Sequence, residues 1–358
     1  MEQLVRLGDV CTVVSGSTPK TSVDEYWNGD VKWITPAELD ADSYYIHDSV
    51  KHITELGRTK TGLSYMPVGT VILSSRAPIG KTAILGCEMC CNQGFKNLIC
   101  TDRIFNEYLY HFLRAKTNYL NSLGRGATFK ELSKGIVENV LIPLPAIEEQ
   151  HHIADLFASV EELIQTKKQQ LDLFDELVKS RFVELFDGKG YPTLKWNEVF
   201  NTTTGKLDSN AMVEDGEYPF FTCAKEVFRI DKYAFDQEAL LLAGNNAAGK
   251  YDVKYYKGKF NAYQRTYVLG LKKDWSYQLF RYQLEDKLVY LQQQSLGGLT
   301  KYLTLKILGE LEFIVPPMDK QNEFTAFVEQ TDKSKSAVQQ SIAELEELKK
   351  SLMQKYFG

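Results

Sequence analysis

From Gln150 onward, apolar side chains return every third and fourth residue with only occasional gaps. With Gln150 at heptad position a, Phe157, Ile164, Leu171, Val178 and Leu185 also fall at a, and Ile153, Val160 and Phe174 fall at d. A later stretch repeats the pattern, with Val328, Ile342 and Tyr356 at a and Phe324, Val338, Leu345 and Leu352 at d. No Pro or Gly interrupts residues 146–187 or 318–357, so each stretch is predicted to form a single helix. Each would hold roughly 40 residues and run about 60 Å at a rise of about 1.5 Å per residue. Lys167, Arg181, Lys335 and Lys349 fall on the same seams, which makes the coiled coils imperfect.

Elsewhere the pattern shortens. GDVKWI, GTVILSS and GKFNAYQRTYVL read as strands bounded by turn residues. A helix is expected after Asp102, from Phe105 to about Asn118, with a partner around Tyr277 to Leu288. Thr128-Phe-Lys-Glu131 has the spacing of a capping box and predicts another short helix. The fold class is therefore α+β, with two globular mixed α/β domains and two long helices.

The chain is written twice. At an offset of 171 residues, LPAIEEQHHIADLF (144–157) lies over VPPMDKQNEFTAFV (315–328). Pro145 meets Pro316 and Gln150 meets Gln321, and the register holds as far as Phe186 over Phe357. It also runs backward through Leu132 over Leu303 and Gly126 over Gly297. Further upstream small shifts imply loop insertions. VILSSRAPIGK (71–81) lies against LLLAGNNAAGK (240–250), CNQGFKNLI (91–99) against AYQRTYVLG (262–270), and Gly16 against Gly205. The predicted division is a first domain over 1–143, a helix over 144–188, a second domain over 189–315 and a helix over 316–358.

SSRAPIGKT (74–82) ends like a phosphate-binding loop but lacks its first glycine, because Ser75 stands at that position. Gly86 follows Thr82 too soon for a helix to open there, so a β-hairpin turn is expected. Cys87, Cys90 and Cys91 in CEMCC have no second pair or histidine partner at zinc spacing, and no metal is predicted. The chain has no run of 18 apolar residues, and MEQLVRLGDV lacks the pattern of a signal peptide. A cytoplasmic chain with reduced thiols and no membrane association is expected.

A net charge of −5 argues against nucleic-acid binding until it is divided. Residues 1–143 carry 15 basic and 15 acidic side chains, and residues 144–188 carry 4 and 10. Residues 189–316 carry 17 and 15, and residues 317–358 carry 6 and 7. The negative charge therefore sits on the first long helix, and the domains are neutral to weakly basic, which permits DNA contact. Side chains suited to phosphates and base edges collect in the predicted loops. The first domain offers Ser17, Thr18, Lys20, Ser74, Ser75, Arg76, Lys81, Asn92, Gln93, Lys96, Arg125 and Lys130. The second offers Lys206, Asn245, Asn246, Lys250, Lys257, Lys259, Tyr263, Gln264, Arg265 and Lys301.

The doubled PLPAIEEQHHI and VPPMDKQNEF, each opening a long helix, resemble the specificity subunit of type I restriction-modification systems. VILSSRAPIGKTA, CNQGFK and GKFNAYQRTYVL share the resemblance, which covers essentially the whole chain. It implies a non-catalytic subunit whose two target recognition domains, in pseudo-twofold arrangement, each bind half of a bipartite, asymmetric site in double-stranded DNA, with the two long helices paired antiparallel to hold them apart. It also implies two methyltransferase subunits as partners and, in the full complex, two restriction subunits that translocate DNA. S-adenosylmethionine, ATP and Mg would belong to those partners, and this chain itself would carry no cofactor. Pro145, Gln150, Pro316 and Gln321 are the expected partner-binding positions. Met318-Asp319-Lys320 departs from the usual apolar-acidic run before the glutamine, and the short overall length suggests trimmed recognition loops.

Other classes fit less well. A lone adenine methyltransferase resembles its kind through an Asn/Asp-Pro-Pro-aromatic motif and a Gly-rich cofactor loop, but the only Pro-Pro here is Pro316-Pro317, followed by Met318. No acidic cluster suggests a nuclease. A structural adaptor would explain the helices and leave two paired domains without a role. A recognition subunit of a related methylation or defence system without ATP-driven subunits stays open, since the difference lies in the partners.

Overall fold

The computed structural model describes residues 3–40, 42–76, 78–126, 130–246, 249–298 and 300–358. The chain divides into two compact units, one formed by residues 1–168 with 340–358 and the other by 169–339. Both boundaries fall inside the long helices, Ile147–Phe186 and Met318–Phe357. Each unit therefore takes one end of each helix.

In the first unit, Cys11–Ser15, Phe95–Cys100, Val71–Ser74, Thr82–Leu85 and Tyr45–Ile46 form a five-stranded sheet in that order. Val13, Val71, Leu73, Ile84 and Leu98 pack one face of it against Tyr108, Leu109 and Phe112 of the helix Asn106–Ala115. Ile34, Met66, Ile72, Leu85 and Phe95 fill the core on the other face, beside a small sheet that includes Trp27–Ile34 and Cys90–Cys91. The turn at Pro78–Lys81 joins two antiparallel strands, and Thr82 opens a strand, as the hairpin reading predicts.

The second unit repeats this pattern register for register. Val5 opposite Ile142 becomes Leu194 opposite Phe313, and Cys11 opposite Cys100 becomes Phe200 opposite Leu271. The parallel pair Ile34 and Cys91 becomes Phe221 and Ala262. The helices Asn106–Ala115 and Tyr277–Asp286 differ in number by the same 171 residues as the long helices.

The long helices bury part of the predicted seam and leave Leu171, Phe174, Ile342, Leu345, Leu352 and Tyr356 half-buried. Ile153, Phe157, Val160, Ile164, Val178 and Leu185 are buried, as are Phe324, Val328 and Val338. In the first unit Phe157 stacks on Phe357 at 5.6 Å, and in the second Phe182 meets Phe324 at 5.6 Å, both in antiparallel sense. Three of the polar seam positions form ion pairs. Lys349 reaches Glu161 at 2.5 Å in the first unit; Arg181 reaches Glu323 at 2.5 Å and Lys335 pairs with Asp175 in the second.

Two local expectations are corrected. The helix expected from Phe105 to Asn118 ends at Ala115, and a separate helix covers Thr117–Leu123. The Thr117 hydroxyl donates to Arg114 O at 2.9 Å, a local bond that competes with helical continuation. Thr128 and Phe129 of the expected capping box lie outside the described residues. Glu131 instead pairs with Arg125 in an antiparallel bridge, and the short helix is Lys134–Glu138, capped by Ser133.

His111 lies fully buried in the first unit, stacked on Phe157 at 5.0 Å, and neither ring nitrogen has a partner among the described residues. Burial lowers its pKa from 6.5 to about 3, with Arg114 and Lys349 adding repulsion. As pH falls through 6.5 towards 3, the unfolded chain takes up a proton that the folded chain refuses, so stability drops in that window. The expected slope is about 1.4 kcal/mol per pH unit. His111→Leu should flatten the loss of melting temperature between about pH 7 and pH 5; an unaltered acid limb would sink this account.

Candidate nucleic-acid interface

At one end of each main sheet the strands hand over to loops that approach within backbone contact of each other. A Cβ on Gly16 would stand 2.0 Å from Asn92 O, and one on Gly205 would stand 1.7 Å from Ala262 O. Only glycine lets the chain pass there, which explains why both copies keep it. In the first unit Ser17 N donates to Cys91 O at 3.0 Å and Asn92 N to Ile34 O at 2.9 Å. Ser75 N donates to Gly94 O at 2.7 Å and Leu132 N to Ser75 O at 2.9 Å. The second unit makes the matching bonds, Gly244 N to Arg265 O and Leu303 N to Gly244 O, both at 2.8 Å. Loops distant in sequence are thereby tied into one polar surface per unit.

Several expected residues meet on the first surface. Thr18 accepts a bond from the Asn92 amide at 2.9 Å, and Ser17 O accepts from the Trp33 indole at 3.0 Å. Lys20, Arg125 and Lys130 are exposed, while Arg76, Asn92 and Gln93 are half-buried. The Gln93 Oε1 atom is buried and has no partner among the described residues. On the second surface Lys206, Lys250, Gln264 and Arg265 are exposed, and Asn245, Asn246, Tyr263 and Lys301 are half-buried. Thr204, Gly244, Gln264, Arg265, Tyr267 and Tyr302 line a cleft there of about 310 Å³.

Other expected residues are corrected. Ser74 and Ser75 are fully buried. Ser74 Oγ donates to Pro78 O at 2.6 Å and accepts from Lys81 N at 2.9 Å, while Ser75 Oγ donates to Gly94 O at 3.0 Å. Their hydroxyls shape the turn and do not present an edge to DNA. Lys96 is buried as well, its ammonium 3.3 Å from Ser75 Oγ and 3.5 Å from Glu131. Lys81 Nζ is held by the carbonyls of Pro36 and Leu39. Lys257 and Lys259, by contrast, lie exposed on the strand Val253–Ala262, where Lys257 pairs with Glu238 at 3.2 Å and Lys259 lies over the Tyr233 ring at 4.8 Å.

Among the described residues no group of three or more His, Cys, Asp or Glu is placed to hold a metal ion, and no helix is long and apolar enough to cross a membrane. Residues 2–173 and 189–347 both match the type I restriction modification DNA specificity domain. The chain belongs to this family. It is 39% identical over 184 residues to the MjaIX specificity subunit of Methanocaldococcus jannaschii, an alignment covering 51% of this chain and 43% of that one. With the EcoDI specificity subunit of Escherichia coli it shares 36% identity over 161 residues, covering 44% and 34% of the two chains. The matched stretches thus span less than half the length of either relative. A crystal structure of the type I restriction-modification S subunit from M. genitalium superposes with a TM-score of 0.64 at 14% identity, covering 100% of this chain and 96% of that one.

Membership in the DNA specificity family does not make the twice-written glutamine a surface signal. Gln150 and Gln321 are buried, and Pro316 with them. Gln150 Oε1 accepts from Phe105 N at 2.8 Å, and its Nε2 donates to Pro145 O at 3.0 Å and Arg103 O at 3.1 Å. Gln321 Oε1 accepts from Ser276 N at 3.0 Å, and its Nε2 donates to Pro316 O at 2.8 Å. The expected partner contact at these glutamines is corrected to an internal clamp, which fastens the start of each long helix to the segment that opens the domain's own helix. Sequence reading missed Arg103, Phe105 and Ser276, whose roles are carried by backbone atoms and leave no trace in residue type.

Proposed function

We propose that the chain is the non-catalytic DNA-reading subunit of a type I restriction-modification complex, with each domain binding one half of a bipartite, asymmetric site. One observation carries the reading. The same loop cluster, tied by the same backbone bonds, is built twice, while the side chains displayed on it differ. A shared frame with different readers suits two unlike half-sites. Methyltransferase subunits would modify adenine with S-adenosylmethionine, and restriction subunits would supply ATP- and Mg-dependent cutting in the cytoplasm. Co-expression of the chain with a methyltransferase subunit encoded beside it, followed by methylome sequencing, tests this. A gapped two-part methylated motif is expected, and its absence would reject the reading.

The uninterrupted helices suit a ruler between the half-sites. Seven residues inserted in each helix at the unit boundaries, after Lys168 and after Gln339, keep the heptad phase and leave each unit's packing whole. They add about 10 Å of helix. The methylated motif should widen by about 3 base pairs with its half-sites unchanged; an unchanged gap would refute the ruler.

A further inference from the structure

The two reading surfaces differ by an exchange between neighbouring strands. Gly94 in the first unit and Arg265 in the second are equivalent, since Ser75 N donates to Gly94 O where Gly244 N donates to Arg265 O. Arg76 and Asn245 are equivalent too, since Arg76 bridges Glu131 where Asn245 pairs with Tyr302. Each unit therefore carries one arginine across these two adjacent positions, on opposite strands. The Arg76 Nε atom lies 3.5 Å from the point where a Cβ on Gly94 would stand. The guanidinium of the first unit thus covers ground from which the Arg265 side chain springs in the second. Beside it both units keep glutamine, Gln93 and Gln264.

Neither arginine side chain makes a hydrogen bond or ion pair among the described residues, and Gln93 Oε1 has no partner, so turning that amide outward forfeits no bond. Gln264 holds only a long contact to Asp208, at 3.4 Å. Side chains used for internal architecture on this surface, such as Lys81 and Lys96, are by contrast engaged. An unengaged arginine beside a glutamine offers a fork for the O6 and N7 atoms of guanine and an amide for the N6 and N7 atoms of adenine.

We propose that Gln93 with Arg76, and Gln264 with Arg265, are the base-reading pairs of the two domains, glutamine taking an adenine and arginine a guanine in the major groove. The assignment rests on the DNA-reading function proposed above and goes beyond it by naming which side chains carry specificity. The remaining exposed lysines then contribute to affinity for any sequence.

The test is selection of the full-length chain, in complex with its methyltransferase subunits, against a random duplex library. Arg265→Ala should lower discrimination at one G·C pair of one half-site by roughly tenfold to a hundredfold and leave the other half-site as it was. Gln93→Ala should do the same at one A·T pair of the other half-site. The double variant Arg265→Gly with Asn245→Arg, which copies the first unit's arrangement, should restore the lost G·C preference. Loss of affinity equal for all sequences, or preferences unchanged in the single variants, would overturn the assignment, as would failure of the double variant to restore. Thermal melting of each variant separates unfolding from loss of reading. If the unaltered complex enriches no sequence, the proposed DNA-reading function falls, and the assignment falls with it.

Discussion

Gln150→Ala is expected to destabilise the first unit by about 3 kcal/mol, far more than a polar-to-alanine change on an exposed helix. The side chain, itself buried, satisfies Phe105 N, Arg103 O and Pro145 O. Its removal leaves three partly buried backbone groups without partners; each would cost about 1–3 kcal/mol if fully buried, and water that reaches them offsets part of the sum. Gln321→Ala, which frees only Ser276 N and Pro316 O, should cost the second unit less. Hydrogen exchange read peptide by peptide distinguishes the units: Gln150→Ala should speed exchange in Asn106–Ala115 and leave Tyr277–Asp286 protected. A cost below about 0.5 kcal/mol, typical of surface changes, would show that the clamp is not a structural joint.

The glutamine also shows where sequence reading stopped. Its recurrence beside Pro145 and Pro316 was plain, and a recurring polar residue at a helix start looks like a surface mark. Its burial depends on backbone atoms 45 and 47 residues away in sequence, which no local pattern encodes. The heptad seam was legible because hydrophobic periodicity registers in residue type, and Ile153, Phe157 and Val178 are buried as it demands. The polar gaps in that seam were legible as gaps but not as ion pairs, because Glu161, Glu323 and Asp175 are supplied by the opposite helix. The loops were found through their doubling. Within them, composition alone could not separate Ser74 and Ser75, folded inward on Pro78 and Gly94, from Arg76, which stays unengaged.

The second large effect reaches across the sequence. Phe357→Ala, next to the last residue of the sequence, is expected to cost about 3–5 kcal/mol, and to cost it in the first unit. Phe357 is 2% exposed and stacks on Phe157 at 5.6 Å, with its edge contacts to Tyr108 at 5.4 Å and Phe112 at 5.7 Å. Leu352, Met353 and Tyr356 pack on the same core, so the last turns of the second long helix complete a domain that begins more than 300 residues earlier. The mirror change is Phe186→Ala. Phe186 meets Phe182 at 5.0 Å and Phe324 at 5.5 Å, so its loss falls on the second unit. The two variants should give crossed hydrogen-exchange patterns. Phe357→Ala should open Tyr108–Leu113, and Phe186→Ala should open the start of the second long helix around Phe324 and Val328. Removing residues 340–358 altogether should strip protection from the first domain while residues 193–314 keep theirs. Faster exchange confined to residues 318–357 in Phe357→Ala, with Tyr108–Leu113 unchanged, would mean that the early domain closes its core without the late helix, and the interlocked construction would be wrong.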